Sequence, residues 1–392
     1  MVRADALNLA SLEQGGSLSV RHQPLDWNTG WNNVLQISLY QKGPDISEVG
    51  STWLQNIRDM RAVRPFTPAE VRALGGQSAF MESSLDRETP DGEVVLPGPR
   101  QLFSIPWILD TRMVHYRRDL LAKAGIAEAG AFSTPEALYE TLERLRAAGF
   151  EYPLSLATSG LTLHNLACFV WGRGGMFRSR DYRKVALVEP EARRGMYDFF
   201  RLHTFIHPEA RCLDYQGSDD RYFNGQSAVT ITGQWAMQNI KDRTRRIQDV
   251  VAENTGWAKI PGVPYLGGTH LVVWRHTIHD DAVLQLLQHL TSLDTLNQIF
   301  ALTGNFPARM EALRSATFSN DPDYQLVIES LESGQCFRSA HLWAGVEMRL
   351  SALCFQLWTD LFANPDLDLR VEIEQRVQSL AVRLEKTLLA SW

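Results

Sequence analysis

The stretch Gly225-Gln226-Ser227-Ala228-Val229-Thr230-Ile231-Thr232-Gly233-Gln234-Trp235-Ala236-Met237 places the tightest limit on how this chain can fold. Ala228, Val229 and Ile231 among hydroxyl residues read as a buried strand, which Gly233 releases into a tight turn that puts Trp235 at the start of a helix. Two readings of that ring are open: a plug sealing the core at a strand-turn-helix corner, or a planar surface presented to a ligand. A second unit of the same kind precedes it. Gly43-Pro44-Asp45-Ile46-Ser47-Glu48-Val49-Gly50-Ser51-Thr52-Trp53 reads as a strand, a glycine turn and Trp53 at a helix start.

Further along, Phe103 to Tyr116 reads as two strand-like pieces flanking a kink that carries Trp107, Asp110 and Arg112. Thr134-Pro135-Glu136 is a helix start, with a hydroxyl N-cap, proline at the first helical position and a carboxylate in the first turn. Leu138, Leu142 and Leu145 mark the inner face of that helix. Pro153 to Thr158 reads as a strand, and Leu161 to Val170 as an apolar helix ending in Trp171-Gly172-Arg173-Gly174-Gly175. Residues 190–206 read as helical. Gly256 to Ile260 and Leu271 to Trp274 read as strands flanking the turn-rich Pro261 to His270. Two leucine-faced helices close the chain, one through Leu350, Leu353, Leu357 and Leu361, the other through Leu369, Ile373, Val377, Leu380, Leu384 and Leu388. Near the start, residues 5–14 read as a helix and Leu18 to His22 as a strand, with Trp27 and Trp31 in a polar-aromatic loop beyond. Residues 62–100, rich in Pro, Gly and charge, read as a surface excursion. Strands alternating with helices indicate an α/β fold of helix-covered sheets, and 392 residues favour two lobes. No internal repeat is evident.

Composition narrows the function. A net charge of -6 offers no basic field for nucleic acid or an anionic membrane. No apolar run reaches membrane-spanning length, and the start Met1-Val2-Arg3-Ala4-Asp5 lacks the apolar core of a signal peptide. Cys168, Cys212, Cys336 and Cys354 are too few and too dispersed for a disulfide scaffold and are expected as buried thiols, with a Cys336–Cys354 pair left open. His203 and His207 have metal-ligand spacing, but Thr204 stands where a zincin needs Glu and Pro208 closes the turn. Gly172-Arg173-Gly174-Gly175 follows a helix and lacks a phosphate loop's Lys-Ser/Thr, and no Gly-x-Ser-x-Gly elbow occurs. Asp26, Asp45 and Asp110 lie near presented aromatics as candidate glycosidase carboxylates, but Asp45 reads better as a turn residue, and Asp110 with Arg112 as a ligand-hydroxyl or interlobe pair. Eleven Trp, many beside Gly or Pro, are more than a core of this size needs. The inventory is that of a binding surface: rings for apolar, sugar-like faces, and Asp, Arg, His and Asn side chains with the amides of Gly267-Gly268 for hydroxyls.

These motifs together resemble the family 1 extracellular solute-binding proteins of sugar ABC importers. The family's Pro-Asp-hydrophobic strand with Gly-x-x-Trp is similar to Pro44 to Trp53, and its Ile-Pro-aromatic segment with Asp-Thr and Tyr to Ile105 to Tyr116. Its Ala-Gly-Ile and Thr-x-x-Glu-Leu helix start resembles Ala124 to Leu138, with Ala137 where Glu is usual. Gly-x-Ala-Met-x-x-x-Gly-x-Trp resembles Gly225 to Trp235, with Val229 for Met, and the later Gly-Gly and Gly-x-x-Pro-Ala-Arg resemble Gly267-Gly268 and Gly304 to Arg309. The motifs follow family order across residues 18–385.

The resemblance implies a periplasmic-binding-protein-like fold of two lobes, each a mixed sheet flanked by helices. Residues 1–110 with 267–320 would form one lobe and 111–266 with 321–392 the other, with a ligand cleft between them and hinge closure. It implies stacking on Trp53, Trp107, Trp171, Trp235 and Trp343, and polar contacts from Asp110, Arg112, Gly267, Gly268, His270 and Arg309. It further implies non-catalytic binding of a sugar or oligosaccharide by a monomer, delivery to ABC permease subunits, and no cofactor or metal. The expected location is periplasmic or extracellular, with lipid anchoring of the full precursor compatible with the family. One departure stands out: family members carry a strand before the first helix, and here only the helix remains, which makes truncation or a cytoplasmic ligand-sensing module the alternative. A glycan-degrading enzyme is the third reading.

Overall fold

The computed structural model describes residues 19–24, 30–85, 101–160, 162–179, 184–243, 245–337 and 343–389. The expected helix at 5–14, Leu18, Trp27, Asp26 and residues 86–100 lie outside them. The chain divides into two compact units, one of residues 1–110, 267–321 and 337–343, the other of 111–266, 322–336 and 344–392.

The strands, in chain order, are β1 (Ile46–Gly50), β2 (Ile105–Asp110), β3 (Arg112–Arg117), β4 (Leu154–Leu156), β5 (Val229–Gly233), β6 (Thr255–Lys259), β7 (Gly267–Val273) and β8 (Phe306–Pro307). In the first unit they run in the order β1-β7-β2-β8, with each neighbouring pair antiparallel. The register shifts between Pro106 and Ile108, the place for a proline that cannot donate to the ladder. Val34, Val49, Leu54, Ile57, Val63, Val272 and Trp274 pack on this sheet as one core, with Trp31 and Trp53 half-buried against it. The Trp274 indole N–H donates to Ser47 Oγ at 2.8 Å, which satisfies its polar atom inside that core.

In the second unit the order is β4-β5-β3-β6, with β4 parallel to β5 and the other pairs antiparallel, a mixed sheet. The helix Thr162–Gly172 is buried on nearly every face, as its all-round apolar composition requires. Trp358, from the helix Trp343–Ala363, packs on Phe199 and Phe200 and donates its indole N–H to Thr162 Oγ1 at 2.9 Å. The final helix, Leu369–Leu389, buries Ile373, Val377, Leu380 and Leu384, the face that the leucine spacing predicts.

Several expectations need correcting. Residues 62–85 are not a surface excursion: Phe66, Leu74, Phe80 and Met81 are buried, and Thr67 and Glu70 form a reciprocal capping box on the helix Pro68–Ala73. Residues 19–22 form no strand. The turn-rich reading of Gly267 to His270 gives way to β7, because Gly268 (φ 134°) lets the strand close on β2: a Cβ there would lie 2.0 Å from the Ile108 carbonyl oxygen. None of the four cysteines is in a disulfide. Cys168 and Cys354 are buried as expected, but Cys212 and Cys336 are exposed.

Candidate functional site

The Trp235 ring is built from β5 outward. Gly233, the last residue of β5, carries no side chain where the indole lies, since a Cβ there would meet Trp235 Cζ3 at 1.9 Å. The indole N–H donates to Asp219 Oδ2 at 3.0 Å. Tyr215, one turn before Asp219 on the helix Tyr215–Phe223, meets the ring at 5.6 Å and 74°, edge to face. Arg112, opposite Gly233 in the β3–β5 register, places its guanidinium carbon 5.1 Å from the ring centroid. Within this frame the ring is half-buried.

Arg112 extends the frame. Its guanidinium carbon also lies 5.3 Å from the Tyr265 ring centroid, and its Nη1 donates to Thr111 O at 3.2 Å. Nη2 is 3.0 Å from His164 Nδ1. Arginine has only donors, so Nδ1 accepts and a neutral imidazole carries its proton on Nε2, which faces Glu347 Oε1 at 3.8 Å. His164 stacks on Tyr265 at 4.4 Å and 10°, and Trp171 lies parallel to Tyr265 at 6.4 Å and 7°. Arg112, Tyr265 and Trp171 are 1, 2 and 5% exposed, so they form the packed support of the assembly and Trp235 its accessible ring. Asp219 is fully buried, and that burial pushes its carboxyl up to about 6 against the opposing pull of the Trp235 N–H. This arrangement offers an aromatic surface flanked by fixed polar groups, the equipment for stacking a ring that also carries hydroxyls.

The other predicted residues lie in the first unit. Trp53 is half-buried and tilts against Trp31 at 5.6 Å. Trp107 lies inside β2 rather than at the kink, which falls at Thr111. Its ring is 5% exposed, and its N–H donates to Leu290 O at 2.8 Å. Asp110 ends β2 opposite Gly267, and Gly268 pairs with Leu109. His270 is buried with Nδ1 3.0 Å from Ser104 Oγ, and burial pulls its imidazole down to about 3. Arg309 Nη1 donates to Thr291 O at 3.1 Å beside a groove of about 490 Å³. Trp343 is 1% exposed and packs on Phe337 at 5.1 Å. Of the predicted residues, Arg112, Trp171 and Trp235 come together in the second unit. Tyr265, His164, Asp219, Tyr215 and Glu347 join them without having been singled out. Tyr265 had a signal in its proline-glycine surroundings, whereas Asp219 sits in a polar helix whose composition marks no inward face.

Residues 9–325 match the family described as bacterial extracellular solute-binding protein. The chain belongs to that family. Its members act outside the cytoplasm, which makes the periplasm or the exterior the family location, and no helix among the described residues is long and apolar enough to cross a membrane. No curated protein sequence matches. Among solved structures, this solute-binding protein is similar to the sugar-binding protein MalE from the phytopathogen Xanthomonas citri, with 18% identity, a TM-score of 0.79, and 99% of this chain and 96% of that one covered. It is similar to maltose-bound T. maritima MalE3, with 16% identity, a TM-score of 0.78 and coverage of 96% and 94%. It is also similar to UgpB from Mycobacterium tuberculosis in complex with glycerophosphocholine, with 14% identity, a TM-score of 0.75 and coverage of 98% and 96%. These likenesses give the solute-binding protein the two-lobed periplasmic-binding-protein fold.

Proposed function

We propose that this solute-binding protein, acting as a monomer, holds a sugar or oligosaccharide by stacking on Trp235 and passes it unchanged to the permease subunits of an ABC importer. The observation that carries the reading is the half-buried Trp235 ring, held by Gly233, Asp219, Tyr215 and Arg112. A preordered ring loses little conformational freedom on binding, and its stacking contributes on the order of 1 kcal/mol beyond the area buried. Trp53 is a second half-buried ring, and it belongs to the first unit. Support for a sugar comes from the ligands of proteins with this fold, which include maltose and laminaribiose. Glycerophosphocholine stands among them as well, so the aromatic surface, rather than the fold, favours a sugar. The experiment is a thermal-shift screen with maltose, laminaribiose and tagatose beside glycerophosphocholine, followed by recovery of the bound compound. A raised melting temperature with a sugar, recovered intact, is the expected result. A shift with glycerophosphocholine alone, or a sugar recovered cleaved, overturns the proposal.

A further inference from the structure

We propose that Asp219 is a positioning residue: through its bond to the Trp235 indole N–H it sets the surface that this ring offers to a sugar. The inference rests on the reading of Trp235 as the stacking ring, and its first test below is independent of any sugar. Three observations support it. The bond is made at 3.0 Å to a fully buried carboxyl, whose oxygen water does not reach. The helix Tyr215–Phe223 supplies both groups that steer the ring, Asp219 at its N–H and Tyr215 at its edge. That helix is itself held in register: Asp214 caps it by accepting from Gly217 N–H at 2.8 Å, Ser155 Oγ donates to Ser218 O at 3.2 Å, and Tyr222 and Phe223 are buried. The third observation is the room made for the ring: a Cβ at Gly233 would meet Trp235 Cζ3 at 1.9 Å, so the glycine lets the indole settle against Asp219.

The groups acting on Asp219 come from every side. Trp235 from its helix and Thr232 from β5 favour the ionised form, as does Arg245, which pairs with Asp220, while Asp220 itself opposes it. Burial opposes it most strongly.

The test uses the full chain labelled with ¹⁵N, in which Trp235→Phe identifies the Trp235 indole signal among eleven. In the wild type this signal is expected to titrate with a midpoint at about 6. Asp219→Asn is expected to keep the signal near its place and abolish the titration. Asp219→Leu is expected to move it and to speed its exchange with solvent at least about tenfold. With maltose as the probe, calorimetry is expected to show affinity at least about tenfold weaker for Asp219→Leu and within about threefold for Asp219→Asn. A wild-type indole signal that exchanges with solvent as fast as a free indole overturns the proposal even if Asp219→Leu fails to fold. So does a displaced signal with unchanged maltose affinity. If the wild type gives no heat with maltose, the sugar reading fails for that compound, and the indole signal still decides the role of Asp219.

Discussion

A methyl group at position 233 would sit 1.9 Å from Trp235 Cζ3 and 2.2 Å from Cε3, so Gly233→Ala cannot keep the ring where it is. The expected result is a loss of about 1–3 kcal/mol of stability in denaturant unfolding, together with weaker ligand binding. Unchanged unfolding and binding would show that the ring has another resting place. Asp219 carries a pH signature. Its carboxyl titrates at about 6 in the folded chain against an ordinary aspartate value of 3.8. The folded state therefore keeps this proton to higher pH than the unfolded one, and stability is lost as pH rises from about 4 through about 6. The loss is roughly 3 kcal/mol in order of magnitude. Asp219→Asn lacks it, so the variant should gain on the wild type by up to that amount between pH 4 and 7.5, and parallel stability profiles would contradict the assignment. The glycine was legible in the sequence as a turn before an aromatic. Asp219 was not, because the spacing of a polar helix does not reveal which carboxylate turns inward.

Among the elements, those with redundant signals were the most legible. The Thr134-Pro135 start and the leucine face of the helix Pro135–Ala147 agree with each other, and so do the leucine runs of the last two helices. The capping box at Thr67 was equally explicit, yet proline and charge around it pointed to a loop. Thr67→Ala should cost about 1 kcal/mol in unfolding, whereas a residue in a true loop would cost nothing measurable. β7 was half legible: Leu271 to Val273 read as strand, but Gly267 and Gly268 imitate a turn because the sheet needs glycine at a close backbone approach. The number of tryptophans, read as more than a core needs, has a related explanation. Trp107, Trp274 and Trp358 each find a hydrogen-bond acceptor inside the protein, so burial satisfies their polar edge and they serve as core. Trp358→Ala should cost about 3–5 kcal/mol by opening the packing on Phe199 and Phe200, and a loss below about 1 kcal/mol would argue that the last helices are held elsewhere.

At the scale of the molecule, order carried more information than any single motif. Loose patterns recurring in one sequence along most of the chain pointed to a solute-binding protein, and the family match over residues 9–325 establishes it. Sequence could not supply the rest of the ring's support, since His164, Tyr265 and Asp219 come from separate elements and meet Arg112 and Trp235 only in three dimensions. A ligand held by the folded state alone stabilises it by about 2.7 kcal/mol when present at a hundred times its dissociation constant, which is why a melting screen suits an unassigned solute. The central claim is that Trp235 is the stacking surface for a sugar. Calorimetric titration of the sugar found in that screen into the wild type and into Trp235→Ala tests it most directly. The account predicts affinity at least about tenfold weaker in the variant, a change of about 1.4 kcal/mol, with its unfolding still cooperative. Equal affinity for the two proteins would contradict it.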